Sequence, residues 1–261
     1  MKQLKNNLPE NQTTESEHTF QTIKARPVEL KENYDYFSRK WYKRFFSSIV
    51  IFIIRPLIRY LWAPFFLGFK VKNKKLLKSY RKSQEKGFIF VSNHLHPIDA
   101  FLAGTVIWPK KSYFTMLMTN LGIPFAGKWL KLLGGAPIPN KRSYLVEFQQ
   151  QLNSVIDKGA WVGVYPETSL RPYSDQIRPF KKGAFRFAID SNVDIIPMVF
   201  VLKKPYGVYR LYKRKPLIQL HILERYKIDD KGSKSETLAY HSKNLQNIMS
   251  AYFEKHQTIK E

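Results

Sequence analysis

The chain has no cysteine, which excludes disulfides and thiolate metal sites and fits a reducing compartment. Acidic residues are scarce: 20 Asp and Glu stand against 44 Lys and Arg, for a net charge of +24. Such an excess calls for an anionic partner, and nucleic acid, an anionic membrane surface and an acidic protein or substrate all qualify. Glycine is sparse at 12 of 261 residues, and no Gly-rich phosphate loop occurs, which argues against a nucleotide-binding fold. The first 30 residues hold no apolar block, so no secretory signal peptide is expected. Nor is there an unbroken apolar run of about 20 residues, the length a spanning helix needs.

What is present is a 44% hydrophobic, 15% aromatic chain, enough for a substantial core and too apolar for general disorder. Residues 1–33 are polar and aperiodic and read as a mobile tail. Residues 34–66 are dense in aromatic and aliphatic side chains. Arg55, Pro56 and Arg59 split this segment into two charge-free stretches. An arginine at the centre of a span costs about 2.5–3.5 kcal/mol on insertion scales. The expectation is two short helices broken at Pro56, lying in a membrane interface. Arg39, Lys40, Lys43 and Arg44 would sit among headgroups, beside a face carrying Trp41, Phe45, Phe46 and Trp62. A buried helical hairpin would have a similar composition.

From residue 67 on, strand-like and helix-like segments alternate. GFIFVSNH, YFTMLM, WVGVYPE and VDIIPMVFV read as strands. RLYKRKPLIQLHIL should hold one or two more. SYLVEFQQQLNSVIDKG places Leu145, Phe148, Leu152, Val155 and Ile156 on one helical face and stops at Gly159. SETLAYHSKNLQNIMSAYFEKH is a terminal helix. The fold class is therefore α/β: a mixed, largely parallel sheet flanked by helices, preceded by a hydrophobic, membrane-binding helical segment. Residues 67–261 form the catalytic domain on this reading.

His94 closes the first strong strand, and Asp99 follows five residues later across Pro97. Beyond strand ends is where open α/β sheets gather reactive groups. A turn there can return Asp99 to the imidazole, fixing its tautomer and leaving one nitrogen to take a proton. Asp99 could equally be the N-cap of the next helix. No serine or cysteine stands out as a nucleophile, so a substrate hydroxyl is the group to be activated. His94 and His96 are two apart with no third ligand near them in sequence, a poor metal site; no metal or cofactor is expected. His221, in a late strand, reads as structural.

Four motifs in order carry a resemblance. Asn93, His94 and Asp99 fit N-H-x-x-x-x-D. Gly135 to Lys141 is similar to a Gly-rich strand ending in an acidic residue and Arg. Tyr165-Pro166-Glu167-Thr168-Ser169-Leu170-Arg171 resembles F-P-E-G-T-R-S, and the following F-K-K-G-A-F is intact at Phe180 to Phe185. Val193 to Met198, with Pro197, resembles V-P-I-I-P-V. The set resembles the glycerolipid acyltransferases, across roughly residues 67–205. The resemblance implies transfer of a fatty acyl chain from a coenzyme A or acyl carrier protein thioester to a lysophospholipid hydroxyl, 1-acylglycerol 3-phosphate above all, at the cytoplasmic face of an anionic membrane.

It further implies roles. His94 deprotonates the acceptor, and Asp99 orients and charge-balances His94. N–H groups near Glu167 and Thr168 stabilise the oxyanion. Arg171, Lys141, Arg142, Lys181 and Lys182 bind the acceptor phosphate. Glu167 could instead form a static pair with Arg171. Phe101, Trp108, Phe114 and Trp129 are candidates for the acyl groove. Departures bear on acceptor choice: Thr168 stands where the third motif has Gly, its Arg is either replaced by Leu170 or displaced by one to Arg171, and Asn140-Lys141 stand in place of the second motif's acidic residue and Arg, with Arg142 adjacent. The basic, aromatic composition also suits a nucleic-acid-binding module, but no helix-turn-helix, zinc-finger or RNP signature occurs, so no nucleic acid partner is expected. The altered third motif would fit a non-catalytic lipid-binding protein, against which His94 and Asp99 argue.

Overall fold

A computed structural model describes residues 26, 28–29, 32–38, 41–82 and 86–259. The expectation for residues 1–33 falls almost wholly outside these, as do Arg39 and Lys40 and the side chains of Trp41, Lys43, Arg44 and Phe46.

The chain runs α1 (Trp41–Leu57), a π-helical turn (Ile58–Trp62), α2 (Ala63–Leu67), β1 (Lys70–Lys72), α3 (Lys74–Lys82), β2 (Ile89–Ser92) and α4 (Asp99–Ile107). There follow β3 (Ser112–Leu117), a 3₁₀ turn (Met118–Gly122), α5 (Ala126–Leu132), β4 (Gly135–Ile138), α6 (Arg142–Asp157) and β5 (Trp161–Val164). The last elements are α7 (Gly183–Ser191), β6 (Ile195–Lys203), α8 (Tyr209–Tyr212), β7 (Leu217–Ile222) and α9 (Lys234–His256).

Among the described residues, seven strands form one sheet in the order β1-β7-β6-β2-β5-β3-β4. All neighbours are parallel except β6 and β7. Strands β2, β5, β6 and β7 are buried along nearly their whole length, which is why they read as continuous apolar runs rather than alternating ones. Helix α6 seats Phe148, Leu152, Val155 and Ile156 inward, and Gly159 ends it at φ 80°, a conformation glycine adopts freely. A capping box of Ser233 and Glu236 starts α9. The mixed, mostly parallel sheet with flanking helices matches the expectation from sequence.

Three details differ from that expectation. Pro56 does not break the N-terminal helix: α1 continues through it, and the π turn follows at once. A proline removes one N–H and crowds the preceding turn, and a wide turn beside it absorbs the misfit. The stretch Ser47–Leu67 is therefore long and apolar enough to cross a membrane, judged on length and composition. Yet it lies against the domain. Ser47, Ile51, Arg55, Ala63 and Leu67 are buried, at spacings of four or eight residues. Ser47 Oγ donates to Leu132 O at 2.6 Å, and the buried Arg55 donates to Ser112 Oγ at 2.8 Å. The arginine that looked like a membrane liability faces protein.

Second, Tyr36 and Phe37, placed by sequence in the membrane segment, belong to the core. They pack edge-on or tilted against Phe148 and Tyr113, and Tyr36 N donates to Gln151 Oε1. Third, the late stretch holds one of the one or two strands expected, and its first residues are not strand. Residues 209–212 are a helical turn, and β7 begins at Leu217.

Candidate active site

Strands β2 and β5 are neighbours. Their parallel carboxyl ends deliver His94 and the Tyr165–Glu167 turn to one place, as the strand-end rule requires. Asn93 holds β2 to its other neighbour. Its side chain accepts from Phe200 N at 2.8 Å and donates to Phe200 O at 3.0 Å, so this motif residue is a clamp within the sheet.

The turn 94–99 closes on Asp99. Its carboxylate lies 2.8 and 2.9 Å from His94 Nδ1 and also accepts the backbone N–H groups of Leu95 (3.0 Å) and His96 (3.2 Å). Asp99 is fully buried. It is not the N-cap; that position is Ile98, with no side-chain cap. Nδ1 is thus committed to the carboxylate, and Nε2 is the nitrogen left to accept a proton. Burial pulls the His94 pKa down, but the Asp99 charge and hydrogen bond outweigh it, and the net shift is upward.

Glu167 braces the same turn from β5. Its Oε1 accepts His94 N–H at 3.2 Å and its Oε2 accepts Arg178 Nε at 3.0 Å. The carboxylate's cation is Arg178, not Arg171. Arg178 also donates to Ser169 Oγ and Ser169 O, using its planar fork on both. Burial pushes the Glu167 carboxyl up to about 7, against the downward pull of Arg178 and His94 N–H. The sequence reading missed Arg178; an arginine eleven residues from its partner carries no local spacing signal. It also gave no role to Tyr165, whose ring lies 4.9 Å from the His94 ring and whose buried hydroxyl finds no hydrogen-bond partner among the described residues.

The oxyanion expectation needs correcting at Thr168. Thr168 N–H donates to Tyr165 O and Ser169 N–H to Glu167 O, so both are spent within the turn. Thr168 itself sits at φ 61°, left-handed backbone where a β-branched residue is strained. This is the position where the motif has glycine. Thr168→Gly should therefore stabilise the protein by about 1 kcal/mol, raising Tm by about 2–4 °C. Differential scanning calorimetry of the two proteins checks this; an unchanged or lower Tm would remove the strain argument. Gly135, by contrast, is required by contact: a Cβ there would lie 2.8 Å from Leu130 O and Met116 Sδ.

His94 opens onto a cavity of about 940 Å³, whose wall includes Thr115, Asn120, Arg142, Tyr165, Thr168 and Lys181. Of the nominated anion binders, Arg142 and Lys181 are part of this wall. Lys141, Arg171 and Lys182 are exposed and lie outside it. Pro166 O accepts Lys181 N–H at 2.9 Å, which ties that lysine to the Glu167 turn. Pro197 lies in β6 opposite Val91.

A second cavity, about 1140 Å³ and mostly apolar, runs beneath the N-terminal helix. Pro97, Ala100, Phe114 and Leu130 belong to the walls of both. Of the groove candidates, Phe101 and Phe114 line it, Trp108 packs tilted against Phe52 elsewhere, and Trp129 is exposed. His96 turns its ring to the Tyr173 edge and its Nδ1 to Ile98 N–H. His221 is buried and bonded to Tyr252 and Gln219, with burial lowering its pKa to about 4.

A buried carboxylate holding an imidazole at the carboxyl ends of a largely parallel sheet is an arrangement able to supply a general base. The family is narrower. A family model described as Acyltransferase matches residues 68–201, just over half the chain, and the chain belongs to that family.

Among curated proteins, the chain is 29% identical over 135 residues to 1-acyl-sn-glycerol-3-phosphate acyltransferase of Saccharomyces cerevisiae, covering 48% of this chain and 44% of that protein. It is 24% identical over 194 residues to a putative 1-acyl-sn-glycerol-3-phosphate acyltransferase of Caenorhabditis elegans, covering 74% and 70%. The match thus spans under half the length of the yeast relative. The 1-acyl-sn-glycerophosphate (LPA) acyltransferase PlsC of Thermotoga maritima shares the fold, with a TM-score of 0.55, 18% identity and 80% of each chain covered.

Proposed function

We propose that this chain moves a fatty acyl group from a thioester, on coenzyme A or acyl carrier protein, to the free hydroxyl of a lysophospholipid, foremost 1-acyl-sn-glycerol 3-phosphate, giving phosphatidic acid. The observation that carries the reading is the joining of three features at one place. His94, held by Asp99, lines the same cavity as Arg142 and Lys181, and that cavity shares walls with an apolar one.

In this reading Arg142 and Lys181 hold the acceptor phosphate as charged donors. His94 Nε2 takes the hydroxyl proton as the oxygen attacks the thioester carbonyl carbon. The tetrahedral intermediate collapses, the C–S bond breaks, and the thiolate leaves with the proton that His94 returns. Asp99 holds the imidazole and balances its transient charge. Glu167 and Arg178 position the His94 turn without touching substrate. The apolar cavity takes an acyl chain.

Residues 41–67 lie in the membrane interface, presenting Phe45, Phe52, Ile53, Leu61, Phe65 and Phe66, all exposed. The enzyme would be peripheral or monotopic, on the cytoplasmic face. Residues 68–259 form the catalytic domain, together with residues 34–37.

The test is transfer of a radiolabelled palmitoyl group to lysophosphatidate in detergent micelles, with coenzyme A and acyl carrier protein donors in parallel. Product is expected from one donor or both. Arg142→Ala and Lys181→Ala should each raise the acceptor KM about tenfold or more while changing the donor KM little. Product only with other lysolipids would move the acceptor assignment, as the Thr168 and Leu170 departures would allow. No product with any lysolipid would sink the catalytic reading.

A further inference from the structure

The connection between β6 and β7 carries a feature whose second half, from Arg210, lies in the stretch expected to hold late strands. Residues 203–216, KKPYGVYRLYKRKP, hold six basic residues, three tyrosines and no acid. The segment is fastened to the end of the N-terminal helix. Tyr209 OH donates to Pro64 O at 3.0 Å and Tyr212 OH to Phe65 O at 3.0 Å. Lys213 Nζ donates to Phe66 O. These are late carbonyls of α2, and Pro64 O also accepts Gly68 N–H at 3.0 Å, so the loop shares that acceptor with the helix end. The Tyr212 ring stacks on Phe65 with centroids 5.5 Å apart.

So fixed, the segment still exposes apolar side chains. Val208 is 63% and Leu211 85% exposed. They stand beside Phe65 and Phe66, exposed on the helix. Arg210, Arg214 and Lys215 are exposed around them. Arg210 Nε donates to Pro205 O, and Lys215 Nζ lies over the Tyr173 ring. Val208, Tyr209 and Tyr212 also line the apolar cavity opposite Leu57, Leu61 and Phe65. Helix and loop thus form two sides of one groove.

We propose that the β6–β7 loop is a second membrane anchor: Val208 and Leu211 enter the acyl-chain boundary of an anionic bilayer, and Arg210, Arg214 and Lys215 bind its headgroups. Apolar side chains on a segment with six basic residues and no acid of its own match a negatively charged lipid surface. Continuity with the exposed helix face places both elements on one plane. The groove between them then opens into the bilayer, where a lysolipid can slide to His94 without crossing water. This deepens the proposed function and rests on the interfacial placement of residues 41–67.

The test uses the full chain and vesicle flotation, with phosphatidylcholine vesicles alone and with 30 mol% phosphatidylglycerol as probes. A surface charge contributes about fivefold in affinity each. Arg210→Gln/Arg214→Gln/Lys215→Gln should therefore lose on the order of 100-fold on the anionic vesicles. Lys158→Gln/Lys227→Gln/Lys243→Gln, the same charge change at exposed lysines elsewhere, should lose less than tenfold.

The cysteine-free chain allows a second readout. An environment-sensitive fluorophore on Leu211→Cys should shift to the blue when anionic vesicles are added, and one on Lys158→Cys should not. Wild type that floats, with the loop triple variant unchanged and the Leu211→Cys label still in water, would overturn the loop proposal and leave the helix reading intact. Equal losses in both triple variants, or a loop variant impaired only with acyl carrier protein donor, would overturn it too. Wild type that fails to float on either vesicle would bring down the helix reading and the loop together.

Discussion

His94→Ala should lower kcat for acyl transfer by about 10²–10⁴-fold, the usual worth of a positioned general base. Asp99→Asn should fall in the same range while leaving the imidazole in place. An Asn can offer its N–H₂ to Nδ1, which selects the wrong tautomer and removes the charge that balances imidazolium. The pH profile separates this from mere unfolding. A base must be unprotonated, so kcat/KM rises with pH through the His94 pKa, which Asp99 has lifted above 6.5. In Asp99→Asn that limb should move to lower pH even as the maximum falls.

Stability carries the opposite sign. A histidine whose folded pKa is raised contributes stability fully present below about 6.5, lost as pH rises through the folded value. Chemical denaturation of wild type between pH 6 and 9 should show this loss, and His94→Ala should show a smaller one, keeping the part that Glu167 contributes below pH 7. Equal turnover by His94→Ala would end the base assignment.

The second large effect is at Arg178, which the reaction does not touch. Arg178→Ala strands the buried Glu167 carboxylate and unties Ser169. Removing one partner of a buried pair costs about 3–5 kcal/mol. Arg178 also holds the Glu167 pKa down; without it the carboxyl keeps its proton to still higher pH. In wild type that carboxyl titrates near 7 in the fold, above the ordinary 4.5. Its contribution is therefore most favourable below about pH 4.5 and fades as pH rises toward 7. Arg178→Ala should extend that fading to higher pH, read by urea unfolding at pH 6 and pH 8.

As a positioning residue, Arg178 should affect kcat more than the acceptor KM, because the His94 N–H loses a charged acceptor while the cavity wall stays. Arg178→Lys should recover part of the stability, since it restores a charge but not the fork that reaches Ser169. A full recovery would mean that the fork is immaterial.

The sequence by itself determined the parts that rest on residues close together in the chain. The alternation of strand and helix follows from apolar periodicity. The His94–Asp99 pair follows from a strand end, a proline turn and a helix start within six residues. The motif set from Asn93 to Pro197 marked the family, and Leu145 to Ile156 marked the buried face of α6. Most of what escaped involved partners far apart in the chain.

Only the tertiary structure decided that Arg55 turns inward to Ser112, which removes the charge argument against a continuous helix. Only it chose Arg178 for Glu167, spent the Thr168 N–H inside the turn, and admitted Arg142 and Lys181 to the cavity wall while leaving Lys141 and Arg171 outside. It also fastened the β6–β7 loop to Pro64, Phe65 and Phe66, across 145 residues or more. Periodicity reports which face of a segment is apolar; it cannot say which distant backbone carbonyl or carboxylate a side chain will meet. That choice is made when the sheet order brings strand ends together, because each buried charge and orphan carbonyl must then find a partner within reach.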